Sequence, residues 1–142
     1  MIDLLVRAID PAPHEAEYWR GLKEERLKLQ RCDACGQLQH YPRSICRSCL
    51  ASELSFVDAA GTGTVFSYTV VRRAPLPELR ALAPYVLALV ELVEGVRVMS
   101  TVEADPEDLF IGVDVQVSFR QVGDWTLPTF QLTGPQDIVR YE

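Results

Sequence analysis

A chain of 142 residues with 48% hydrophobic and 24% charged side chains has the size and balance of one compact domain, or of two very small ones sharing an interface. Its most apolar run, Tyr85 to Val93, carries Glu91 and falls far short of the roughly 20 apolar residues of a membrane-spanning helix. With 20 acidic against 14 basic residues the net charge is -6, a field that repels a phosphate backbone; the lack of a basic flank and long apolar stretch within Met1–Asp10 predicts a cytoplasmic protein.

Residues 1–25 read as an arm followed by a helix. Asp10-Pro11 or Pro13-His14 opens the helix, since proline suits the first turn and aspartate is a good cap. Tyr18, Trp19 and Leu22 then share one apolar face, to be packed on the chain's own domain or on a partner. Residues 26–52 form a small ribbon. Leu27 and Leu29 alternate with Lys28 and Gln30 in a short strand over Arg26 to Arg31, and Gln37 to His40 returns as a second.

Residues 53–142 are rich in β-branched residues punctuated by turn signals. A strand over Leu54 to Ala59 is expected to run through Gly61-Thr62-Gly63 into Val65 to Val71. Leu76 to Ala83, bounded by prolines, reads as a loop or one helical turn. Further strands are expected at Tyr85 to Val93, Val96 to Val102, Val113 to Val122 and Leu127 to Thr133, with hairpins at Glu94-Gly95 and Gly123-Asp124. Asp105 to Leu109 reads as a capped helical turn between the third and fourth. Five strands with that interruption describe a small closed barrel of the OB type, an SH3-like barrel being the nearest alternative. The expected fold class is therefore mainly β: an N-terminal helix, a rubredoxin-like ribbon, then a five-stranded OB-fold.

The cysteines carry the strongest signal. Cys32 and Cys35 form one pair, Cys46 and Cys49 another, with ten residues between the pairs and no cysteine left over. Two residues between paired thiolates let each pair wrap a metal at a knuckle, and two knuckles complete a tetrahedron of sulfurs. Structural zinc is the expected occupant; rubredoxin-like iron uses the same four ligands. Disulfides would need an oxidising compartment, and a redox dithiol needs only one pair. A metal with four filled positions has no room for substrate, so it holds together a segment too small to fold on apolar burial alone.

Chemistry for an independent catalyst is missing from the pattern. His14 and His40 sit beside no recognisable nucleophile, and there is no Gly-x-Ser-x-Gly elbow. Gly61-Thr62-Gly63 lacks the lysine and following helix of a phosphate loop and reads as a strand bend. Glu91, inside an otherwise apolar strand, is expected to sit at an edge position or to pair with Arg97 across a hairpin, a functional carboxylate being the alternative. Arg72 and Arg73, with Arg43 and Arg47 near the ribbon, are the candidates for an anion site.

The run Leu27 to Gly36, with Tyr41-Pro42-Arg43, the second cysteine pair, Gly61 to Val71, Pro84-Tyr85-Val86, Glu94 to Arg97, Ile111-Gly112-Val113 and Leu127 to Phe130, resembles the acyl-CoA-associated family with a rubredoxin-like zinc ribbon and an OB-fold, long catalogued as a domain of unknown function. The likeness extends from about Tyr18 to Phe130 and departs at Arg47, where the second knuckle often carries proline. It implies a non-catalytic companion of thiolase-superfamily enzymes: thiolases, hydroxymethylglutaryl-CoA synthases and the thiolase-like aldolases of sterol side-chain degradation. It further implies acyl-CoA held between ribbon and barrel, with Tyr41, Arg43, Tyr68, Arg72 and Arg73 as candidate contacts. The competing expectation is a single-stranded nucleic-acid binder, which would stack bases on Phe66, Tyr68, Tyr85, Phe119, Trp125 or Phe130.

Overall fold

The computed structural model describes residues 9–133. Helix formation starts at the second of the two candidate openings. A 3-10 turn, Pro13–Glu15, leads into helix α1, Ala16–Lys23. Asp10 does not cap it; the Glu15 carboxylate instead accepts the Ala12 N–H at 2.9 Å. The helix ends in a Schellman motif: the N–H of Arg26 donates to the Gly21 carbonyl at 2.8 Å and that of Glu25 to Leu22 at 3.0 Å. Glu25 takes φ 59°, the left-handed value usually given to glycine.

That sharp exit feeds strand β1, Lys28–Cys32, which pairs with β2, Leu38–Gln39, on one side and β3, Leu54–Asp58, on the other. Here the structure departs from the single long strand expected through Gly61. Lys28 to Cys32 matches Asp58 to Leu54 in antiparallel register, so β3 completes the ribbon's sheet. Lys28 also clamps Asp58 through a 2.6 Å ion pair, which holds the Asp58 carboxyl below its usual range. Gly61, at φ 81°, then turns the chain into a separate strand, β4, Thr62–Val71.

The barrel contains β4, β5 (Tyr85–Leu92), β6 (Arg97–Val102), β7 (Asp114–Val122) and β8 (Trp125–Leu132), in the closed order β4-β5-β6-β8-β7. Gly63 is what lets β4 and β5 cross so closely: a Cβ there would run into the Glu91 carbonyl and Leu92 Cα. A bulge between Val65 and Ser67 bends β4. Closure rests on β6 and β8, whose parallel pairing is the single match Val102↔Phe130. Hydroxyls reinforce that seam. Ser100 donates to the Pro128 carbonyl at 3.1 Å, and Thr129 to the Thr101 carbonyl at 3.1 Å. Inward alternation along β5 and β6 buries Val86, Ala88, Val90, Leu92, Val98 and Val102 around Phe130. Each buried valine or leucine among them is worth about 1.5–3 kcal/mol. Tyr18, Leu22, Leu27 and Leu29 join the same core cluster, so α1 and β1 dock on the barrel rather than on a partner.

The 3-10 turn Pro106–Asp108, capped by Asp105 accepting from the Glu107 N–H, lies where a capped turn was expected. Leu76 to Ala83 is mostly a 3-10 segment, Pro77–Leu82. Among the described residues no helix is long and apolar enough to cross a membrane.

Candidate metal centre and the ribbon–barrel junction

The four cysteine Sγ atoms all lie within 4.8 Å of one another, Cys32 to Cys49 at 3.5 Å and Cys35 to Cys46 at 3.7 Å. A tetrahedral ion with bonds to sulfur of about 2.3 Å sets its ligands about 3.8 Å apart, so the cage fits one such ion. All four thiols are free and converge on one point, the arrangement of a single metal cage. Cys32 and Cys46 are buried while Cys35 and Cys49 face outward.

The two knuckles repeat one hydrogen-bond pattern. Cys32 N–H donates to Gln37 O and Gly36 N–H to Cys32 O; Cys46 N–H donates to Ala51 O and Leu50 N–H to Cys46 O. The residue after each second cysteine adopts positive φ: Gly36 at 78°, Leu50 at 65°. In the first knuckle glycine meets this demand, and in the second an exposed leucine bears the strain. Backbone N–H groups of Cys49 and Ser48 lower the Cys46 thiol to about 6, whereas Cys35 and Cys49 in the same cage are shifted upward, so these three sulfurs titrate together and Cys46 gives up its proton first.

Behind the cage lies a feature that the period-two pattern misassigned. Gln30 falls on the polar phase of its strand, yet it is as buried as Gln39 opposite. The Gln39 amide donates to Gln30 Oε1 at 2.6 Å and to Ile45 O at 3.2 Å. Gln30 accepts the Arg43 N–H and donates to the Arg43 carbonyl, while Gln39 accepts the Arg47 N–H. Two glutamines thus satisfy the loop that delivers the second cysteine pair. A buried network of this kind is stabilising because every member is paired; composition carries no signal for it.

At the junction with the barrel the aromatics interlock. Trp19 meets Trp125 edge to face at 5.1 Å, and Tyr18 meets Tyr41 at 5.3 Å and His40 at 5.5 Å. Burial pushes Tyr18 upward and lowers His40 to about 4, so His40 stays neutral. Beside it a polar cleft of about 300 Å³ separates Gln39, His40 and Arg47 of the ribbon from Gly95 and Arg97 of the β5–β6 turn. Arg97 bonds Glu91 at 3.2 Å, as the hairpin pairing predicts, and lies 3.7 Å over the Phe66 ring.

The candidate CoA contacts are dispersed. Tyr41 packs in the aromatic junction and Arg43 is exposed with its backbone held by Gln30. Tyr68 donates its hydroxyl to the Leu109 carbonyl at 3.2 Å, and Arg72 and Arg73 are exposed just beyond β4. None of these five lines the polar cleft, where Arg47 and Arg97 are the cations. Of the aromatics named for the nucleic-acid expectation, Phe130 is fully buried and Trp125 packs edge to face on Trp19, while Phe66 stays 44% exposed with Arg97 over one face of its ring.

A four-cysteine ribbon docked through a helix onto a five-stranded barrel closed by a parallel seam defines a ribbon/OB-fold protein. Residues 19–55 match the ChsH2 rubredoxin-like zinc ribbon domain and residues 56–120 the ChsH2 C-terminal OB-fold domain. Over 107 residues the chain is 37% identical to a DUF35 domain-containing scaffold protein of Methanocaldococcus jannaschii, covering 73% of this chain and 75% of the relative. The chain belongs to the DUF35 family. It is also 37% identical to a probable enoyl-CoA hydratase alpha subunit of Thermomonospora curvata, over 92% of this chain but only 42% of that protein's length. A solved structure described as Ltp2-ChsH2(DUF35) aldolase is similar with a TM-score of 0.77 at 37% identity, over 88% of this chain and 97% of that one.

Proposed function

We propose that this protein is a non-catalytic accessory subunit that binds an acyl-CoA thioester and supports a thiolase-superfamily partner: a thiolase, a hydroxymethylglutaryl-CoA synthase or a thiolase-like aldolase. The observation that supports the reading most is the end-to-end similarity to a chain described as part of an aldolase with Ltp2. The site chemistry agrees with it. Four thiolates fill a tetrahedral ion's positions, so the metal, zinc in this reading, braces the ribbon and leaves the reaction to the partner. Arg43, Arg72 and Arg73 take part in none of the ion pairs among the described residues, which leaves their guanidinium forks available to CoA phosphates. Tyr41 and Tyr68 are the proposed contacts for the remainder of the cofactor arm.

Co-expression with a thiolase-like enzyme encoded beside it should yield a stable hetero-oligomer. Omitting this chain should cost the enzyme solubility or most of its turnover. A partner equally soluble and active alone would overturn the accessory role, and metal analysis finding iron in place of zinc would correct the ion.

A further inference from the structure

At the end of the β5–β6 hairpin away from the ribbon, a cavity of about 380 Å³ opens against the β4–β5 connection. Leu79 and Leu82 of the 3-10 segment line one side; Pro84, Tyr85 and Val86 line another as the chain enters β5. The surface so formed is mainly apolar. Leu82 is 40% exposed, which removes little of it from water in the free chain.

Two charged residues, Glu103 and Arg120, also line the cavity. Their closest approach is 3.9 Å, too long for a hydrogen bond, and both side chains are about half exposed. Such a pair is loose, and the guanidinium keeps donors to spare. Arg72 and Arg73 follow directly on Val71, which pairs with Tyr85, so two further cations stand at the root of the same connection. An apolar cavity of about 150 Å³ holds a benzene ring; the volume here corresponds to on the order of a dozen carbons. An apolar body of that size ending in a hydrogen-bond acceptor satisfies both halves of the lining.

We infer that this cavity receives the acyl chain of the thioester, with Arg120 meeting the polar end. The inference rests on the acyl-CoA reading and adds the place and length of the acyl portion. Calorimetric titration of the metal-loaded chain with CoA and with dodecanoyl-CoA tests it. Dodecanoyl-CoA should bind at least tenfold more tightly than CoA. Leu82→Glu should shrink that ratio below threefold, and Arg120→Ala should weaken dodecanoyl-CoA severalfold while sparing CoA, both variants melting like the parent. Equal affinities for the two ligands in the parent would overturn the acyl pocket and leave the CoA reading standing; no binding of either would overturn both. A ratio untouched by Leu82→Glu would place the chain elsewhere and sink the inference. So would that variant losing only its partner enzyme, which would make the cavity a protein-docking groove.

Discussion

Leucine at position 50 occupies a backbone conformation that its counterpart Gly36 adopts without cost. A non-glycine residue in the left-handed region forfeits about 1–2 kcal/mol, and glycine gives back about 0.5–1 through its freedom when unfolded. Since Leu50 is 68% exposed and loses little packing, Leu50→Gly should stabilise the chain by about 0.5–1 kcal/mol, read as a rise in the urea midpoint. His40 is a second residue whose environment overrides its ordinary chemistry. Burial takes its pKa from 6.5 to about 4, so between those values protons bind the unfolded chain preferentially. Its contribution to stability is complete above about pH 6.5 and is lost as pH falls toward 4, reaching about 2–3 kcal/mol by pH 4.5. Protonation of the cysteines acts in the same direction, so the informative comparison is parent against His40→Phe at saturating metal. The variant should retain about 2–3 kcal/mol more of its neutral-pH stability at pH 4.5, by urea unfolding at both pH values; identical losses would refute the assignment.

Among the elements, β1 does the most varied work. Leu27, just before it, and Leu29 enter the barrel's core, Lys28 fixes β3, Gln30 supports the second knuckle and Cys32 ends in the cage. Alternation correctly separates Leu27 and Leu29 from Lys28. It fails at Gln30, because the polar side of a ribbon strand is covered here by a loop brought from Arg43 to Arg47, thirteen or more residues away in sequence. Gln30→Leu strands the Arg43 N–H and the Arg43 carbonyl and leaves the Gln39 amide only its bond to the Ile45 carbonyl, and a buried polar group without a partner costs about 1–3 kcal/mol. The variant should lose about 2–4 kcal/mol and release metal to a competing chelator several times faster than the parent, followed by colour change of a metal indicator. In the barrel, the corresponding vulnerable point is Gly63. Gly63→Ala forces a methyl group into β5's backbone and should destabilise the chain by about 2 kcal/mol or more in chemical denaturation, whereas Gly95→Ala meets open space and is penalised only for its φ of 84°.

On the scale of the whole molecule, ribbon and barrel share one hydrophobic cluster but depend on different forces. The barrel is closed by backbone pairing and filled by Val, Leu and Phe130; the ribbon sheet is short and tied off by the cysteine cage. Chelation should therefore release β1, β2 and β3 together while β4 to β8 stay protected, visible as selective loss of amide-exchange protection in Leu54–Asp58 but not in Thr62–Val71. Protection retained across Leu54–Asp58 after metal removal would show that the β1–β3 pairing stands without the cage. That grouping was not legible in a run of β-branched residues from Leu54 to Val71, where nothing local says which strand each half will pair with. What the chain of residues determined alone was every feature set by close spacing: the cysteine pairs, the turns at Glu94-Gly95 and Gly123-Asp124, the capped turn at Asp105, and the five barrel strands. What only the tertiary structure decided was every feature that needs distant segments to meet. These are the division between β3 and β4, the burial of Gln30, the neutral His40, the pairing of Trp19 with Trp125, and a cavity assembled from Leu82, Tyr85 and Arg120. The reason is range: knuckles and turns follow from dihedral preferences and bonds a few residues long, whereas burial depends on which surfaces the closed barrel leaves facing one another.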